Sequence, residues 1–136
     1  MREVQVERFV PATPPVVAEA LTPERVVEYE GSFEVLDTRQ DDAATLVTAG
    51  ARGLQLVLRF EPDGEGWRYE QEGRAGPFDR MWTRLGLRAE NEGTRLTATS
   101  GVSLGLPLPA LTDRVAGWKR RGELERLLDQ VAADLG

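Results

Sequence analysis

At 136 residues, with 40% hydrophobic and 29% charged residues, the chain suits one domain built around one core. It contains neither cysteine nor histidine, which excludes disulfides, thiolate catalysis and the usual zinc ligand sets and leaves acid and base work to carboxylates, Tyr, Arg or the single lysine, Lys119. A net charge of −6 argues against general nucleic-acid binding; no apolar run approaches the ~18 residues of a membrane span and the start MREVQVERFV lacks a leader's apolar core, so a cytoplasmic protein without stable membrane insertion is expected.

Glu3 to Val10 alternates, with Val4 and Val6 on one side and Glu3, Gln5 and Glu7 on the other, and reads as a strand with one wet face. Two short helices follow. Thr13 is the candidate N-cap of the first, with Pro14 at its first position, and Thr22 caps the second, which runs from Pro23 towards Gly31. From Ser32 to Leu104 come six strand-like runs, SFEVLDTR, AATLVTA, LQLVLRFE, WRYEQEGR, RMWTRLGLRAE and TRLTATSGVSL. The breaks between them, at residues 40–42, 50–53, 62–66, 75–79 and 91–93, are too short for crossover helices, so the sheet is expected to be largely antiparallel.

Alternation assigns the faces. Leu54, Leu56, Leu58 and Phe60 point one way, with Trp67, Tyr69 and Gln71, then Met81, Thr83, Leu85 and Leu87, then Leu96, Ala98, Ser100, Val102 and Leu104. A register pairing Arg59 with Glu70, Glu61 with Arg68 and Glu90 with Arg95 satisfies both faces and matches charges across strands.

The last stretch, 108–135, reads as one long helix entered through Pro109. Its apolar positions form two stripes, Leu111, Val115 and Trp118 first, then Leu124, Leu127, Leu128, Val131 and Leu135. Gly117 and Gly122 flank Trp118, and each costs about 1 kcal/mol relative to alanine in a helix. They suggest a close backbone approach or slight bend where the helix crosses the sheet, or a cavity roofed by Trp118, or both. The run Lys119, Arg120, Arg121 reads as a solvated face, with Glu123 and Glu125 four residues beyond Lys119 and Arg121.

This order of strand, two short helices, six antiparallel strands and a long closing helix resembles the START-related superfamily, also called SRPBCC. The resemblance spans the chain and rests on VPATPPVVAEAL at Val10 to Leu21, GTRLT at Gly93 to Thr97 and RGELERLLDQVAADL at Arg121 to Leu135. It implies an α+β helix-grip fold, in which a curved seven-stranded antiparallel sheet wraps a long C-terminal helix, and a cavity between them for an apolar or aromatic small molecule. Members include lipid carriers, polyketide cyclases, plant hormone receptors, quinone-binding proteins and co-chaperone domains, and fold does not select among them. No ligand motif transfers residue by residue.

The cavity-lining candidates are Leu56, Leu58, Phe60, Tyr69, Gln71, Met81, Thr83, Leu85, Ala98, Ser100 and Val102 from the sheet, and Leu111, Val115 and Trp118 from the helix. Inward Gln71, Thr83 and Ser100 could orient a ligand's carbonyl or hydroxyl, or simply bond one another, the backbone or a trapped water. The aromatics Phe60, Trp67 and Tyr69 read as core. Trp82 falls on the wet face between Arg80 and Arg84, either stacked under them or at a subunit contact, so a monomer or a homodimer is open. No metal cluster, phosphate loop or catalytic triad is present in the sequence, and no cofactor is expected. Three functions remain: a carrier of a small hydrophobic molecule, a cyclase or dehydratase using Tyr69 or an inward carboxylate such as Asp37 or Glu19, and an interaction domain with a closed core.

Overall fold

The computed structural model describes residues 1–73, 78–107 and 109–136, the backbone alone at 109 and 110. The elements run β1 (Arg2–Val10), α1 (Pro14–Ala20), α2 (Pro23–Glu30), β2 (Glu34–Asp41), β3 (Ala44–Ala51), β4 (Leu54–Asp63), β5 (Gly66–Glu72), β6 (Arg80–Glu90), β7 (Gly93–Ser103) and α3 (Pro109–Leu135). The strands form one antiparallel sheet in the order β1-β7-β6-β5-β4-β3-β2, the α+β helix-grip arrangement. Of the expected break at 75–79, residues 75–77 lie outside the described residues, as does position 108.

Four hairpins close with two-residue loops, 42–43, 52–53, 64–65 and 91–92. At Arg52-Gly53 and Asn91-Glu92 both loop residues have positive φ, the twist that two-residue hairpins favour. These turns fix the register. Arg59 faces Glu70 and Glu61 faces Arg68, as expected, but Glu90 faces Gly93, and Arg95 faces Arg88. The slip is by two residues, so each side chain keeps its face, and Glu90 still reaches Arg95 diagonally at 2.7 Å and Arg88 at 3.3 Å.

The helices enter as their caps dictate, with one exception. The Thr22 hydroxyl accepts from the Arg25 N–H at 3.2 Å, and Gly31 closes α2 in the left-handed conformation at φ 80°. Thr13 makes no side-chain cap; with Pro14 and Pro15 behind it, the second helical position has no N–H to offer.

α3 packs chiefly on β1 and β7 and along α2. The residues it turns inward are Asp113, Ala116, Arg120, Glu123, Leu124, Leu127, Leu128, Val131 and Ala132, a single stripe at three- and four-residue steps. The expected stripe of Leu111, Val115 and Trp118 is out of phase with the leucine stripe and faces solvent, 60%, 58% and 78% exposed. Gly117 is the close approach, since a Cβ there would meet Arg2 Cγ of β1 at 2.5 Å. Gly122 has nothing within 4 Å of such a Cβ, and because Trp118 points outward it leaves room on the surface, not over a cavity. A chamber roofed by Trp118 is therefore corrected.

Candidate functional site

The sheet's inner face carries Tyr69, Thr83 and Ser100 on the neighbouring strands β5, β6 and β7, in register with one another. Into their midst α3 sends Arg120, 2% exposed. Its guanidinium donates to Thr83 Oγ1 at 2.7 Å, Tyr69 Oη at 2.8 Å and Ser100 Oγ at 3.2 Å, and forms ion pairs with Glu30 at 2.9 Å and Glu123 at 3.3 Å. The Tyr69 hydroxyl donates to Glu30, Ser32 donates to Glu123, and Thr83 and Ser100 share a hydrogen bond of 2.9 Å. Taking an ion out of water costs several kcal/mol, and only such dense pairing offsets it.

Two carboxylates around one guanidinium leave an excess of negative charge. Burial raises the Glu30 carboxyl above its ordinary range, Arg120 and the Tyr69 hydroxyl pull it back, and Glu123 pushes it up again. Burial likewise raises the Tyr69 phenol, against the opposing pull of Arg120. Burial alone would lower Arg120, but Glu30, Tyr69 and Glu123 together hold it above its usual value. The cluster thus has a carboxyl that accepts a proton readily beside a cation that keeps its own.

This cluster borders a cavity of about 20 Å³, space for about one water, lined by Glu30, Arg120, Glu123 and Ser32 on its polar side and by Leu56, Leu58, Phe78 and Met81 among its apolar walls. Ser32 and Phe33 also line a surface cleft of about 360 Å³, whose other walls include Arg52, Leu54 and Lys119. Ser32 and Phe33 thus stand between an open cleft and a nearly filled interior.

Of the sequence-derived candidates, Leu56, Leu58 and Met81 line the cavity; Phe60, Tyr69, Thr83, Leu85, Ala98, Ser100 and Val102 are buried on the same inner face. Gln71 is buried with its amide donating to the carbonyls of Phe78 at 2.6 Å and Gly73 at 3.3 Å, and its Oε1 has no partner among the described residues. Thr83 and Ser100 bond each other and Arg120. Leu111, Val115 and Trp118 lie outside the site, for the phase reason given above. Asp37 and Glu19 are not buried, so the inward carboxylates are Glu30, Glu123 and Asp113 instead. The reading of Arg120 as solvated fails for that residue alone, since Lys119 and Arg121 are exposed; among the described residues Glu123 pairs with Arg120 and not with Lys119. Seven-residue steps towards the N-terminus from Leu127 in the leucine stripe reach Arg120 and then Asp113, a signal that overrides their charge.

On the outer face Trp82 is half-buried over Gly101, where a Cβ would lie 2.3 Å from the indole nitrogen. Its cation is Arg68 of β5, at 5.2 Å from the ring centroid, whereas Arg84 turns to Asp63 at 2.6 Å.

Comparison with known proteins agrees with this architecture. No protein-family model matches the chain, and none of the curated proteins compared with it matches. Among solved structures, TTHA0849 from Thermus thermophilus is 25% identical over 99% of this chain and 100% of its own, with a TM-score of 0.70. A START superfamily protein from Mycobacterium smegmatis is 16% identical, with 95% and 96% covered and a TM-score of 0.65. The Zhui aromatase/cyclase from Streptomyces sp. R1128 is 19% identical, with 98% and 93% covered and a TM-score of 0.70. This chain's strand order, paired short helices and gripped α3, with a likeness that covers 93% or more of each of these three structures, give it a START/SRPBCC-type fold.

Proposed function

We propose that the chain binds a small, mainly apolar molecule carrying one hydrogen-bonding group, which enters through the cleft at Gly31–Phe33 and directs that group at the Arg120 cluster. The observation that carries the reading is a buried arginine with two carboxylates beside a small cavity that shares Ser32 and Phe33 with an open surface cleft walled by Leu54. Structural neighbours described as START and as aromatase/cyclase proteins support the same class of use. Because about 20 Å³ admits no more than about a water, uptake requires Phe33 and the end of α2 to shift, and the cleft supplies the first resting place. No cofactor is needed for binding of this kind.

Native mass spectrometry of protein purified without denaturation, with titration of a fluorescent apolar probe, tests it. A carried mass or saturable probe binding is expected, weakened by Leu54→Glu at the exposed mouth. Failure of both signals, or a probe affinity indifferent to Leu54→Glu, sinks it.

Glu30 favours a second reading, a cyclase or dehydratase in the same place, because a carboxyl with a raised pKa beside Tyr69 and Arg120 is suited to passing a proton to a bound carbonyl or hydroxyl. Glu30→Gln separates the two: a binder keeps its ligand, and an enzyme keeps the ligand but loses turnover.

A further inference from the structure

We propose that the outward face of the first half of α3 docks on an anionic lipid surface, with Trp118 as its anchor. The face consists of Leu111, Val115 and Trp118 at four- and three-residue steps, all exposed, with Gly122 continuing the row. The other two tryptophans are accommodated within the fold: Trp67 donates to the Leu21 carbonyl at 2.6 Å, and Trp82 lies under Arg68. Trp118 has no hydrogen bond or ring contact among the described residues and stands beside an open trough that Gly122 leaves unfilled. An amphipathic indole next to aliphatic side chains is the composition that lodges at a headgroup boundary.

Charge selects the occupant. The chain as a whole is at −6, yet Arg114 on this face and Lys119, Arg121 and Arg126 along the trough stand against one carboxylate, Glu125. A second copy docked through a two-fold axis beside Trp118 would bring these cations against their own images, which disfavours self-association. An anionic bilayer instead attracts each of them: Arg114 and Lys119 can extend their long stems to the headgroups while the apolar row sinks, and Arg121 and Arg126, donating to the carbonyls of Gln5 and Glu30, add fixed positive charge beside it. α3 is not long and apolar enough to cross a membrane, and its opposite stripe, from Ala116 through Arg120 and Leu124 to Leu128, is committed to the interior; it can only lie flat, outer face down. Lys119 lines both the trough and the cleft, so docking would set the cleft mouth near the lipid. The inference does not depend on what, if anything, the cleft binds.

Co-sedimentation of the full chain with vesicles of phosphatidylcholine alone, or mixed with phosphatidylglycerol, tests it. The wild type is expected to pellet with the mixed vesicles at about 0.05 M salt, and to be released at about 0.5 M. Trp118→Ala should weaken binding at least about fivefold while leaving the melting temperature unchanged, and Arg114→Glu should weaken it further. Absence of pelleting at low salt, or equal pelleting of Trp118→Ala, overturns the proposal. So does a wild-type dimer that Trp118→Ala dissociates, which would make a second copy the occupant, or Trp118-dependent retention on an immobilised acidic polypeptide with vesicles left unbound, which would make it a protein.

Discussion

Arg120 of α3 and Glu30 at the end of α2 form an ion pair at 2.9 Å, and the hydroxyl of Tyr69 on β5 touches both. Three elements far apart in the chain thus meet at one buried charge. The neighbouring Arg126 strengthens the same junction from outside, donating to the Glu30 carbonyl at 2.8 Å. The end of α2 is therefore held to α3 through both the side chain and the backbone carbonyl of Glu30, and this is the segment that must yield if the interior is to open.

Arg120→Met is expected to destabilise the protein by about 3–5 kcal/mol, because it leaves Glu30 and Glu123 buried with no cation between them. Glu30→Gln should cost clearly less, since Glu123 still balances Arg120. Urea denaturation of both variants checks the order; a smaller loss for Arg120→Met than for Glu30→Gln would refute the assigned balance of charges.

The sheet was legible from the chain because alternation and two-residue turns speak through local chemistry: Leu56, Leu58, Phe60, Tyr69, Met81 and Leu85 are buried as their spacing demands. The helix face was not, because hydrophobicity named Leu111, Val115 and Trp118 while packing chose the phase set by Leu124, Leu127 and Val131. A stripe of three apolar residues yielded to a longer one, and Arg120 followed it inward because, apart from Glu123, its partners Glu30, Tyr69, Thr83 and Ser100 lay on other elements. Those partners could not be inferred locally. Glu30 carries the same lesson on a smaller scale, since it sits three residues after buried Val27 on the inner face of α2 and reads as solvent-facing only by its charge.

Glu90, held by Arg95 and then by Arg88, has its carboxyl pulled down to about 2. A depressed folded-state value means the stabilisation is present above the ordinary range near 4.5 and is lost as pH falls from there through about 2. Arg95→Gln should return Glu90 towards the ordinary range, read by carboxyl chemical shift in an NMR titration. An unchanged midpoint would show that the diagonal contact, which replaces the direct pairing, has no electrostatic effect.

Gly66 and Gly86 make opposite demands on the sheet. A Cβ at Gly66 would lie 1.9 Å from the Leu85 carbonyl oxygen, so Gly66→Ala must push β5 and β6 apart and should cost about 1–3 kcal/mol. At Gly86 a Cβ meets nothing within 4 Å, and Gly86→Ala should be neutral or stabilise by about 0.5 kcal/mol through the lower entropy of the unfolded chain. Thermal melts of the two variants side by side decide it, and equal effects would mean the close approach of the strands is misplaced.

The Glu30 carboxyl provides a pH signature of opposite sign to that of Glu90. Its folded-state value is raised, by burial first and by Glu123 in addition, so the folded chain holds that proton more tightly than the unfolded one. The corresponding stability is full below the unfolded value near 4.5 and is lost as pH rises through the folded value. Glu30→Gln removes this dependence while keeping a hydrogen-bonding side chain of the same length. The stability of the wild type relative to Glu30→Gln should therefore fall as pH is raised from about 4 towards neutrality. Denaturation of both proteins across that range measures it. A difference that stays flat would mean that Arg120 holds Glu30 at its ordinary value, and one that grows with pH would mean the ion pair outweighs burial; either result would remove Glu30 as a proton donor near neutral pH.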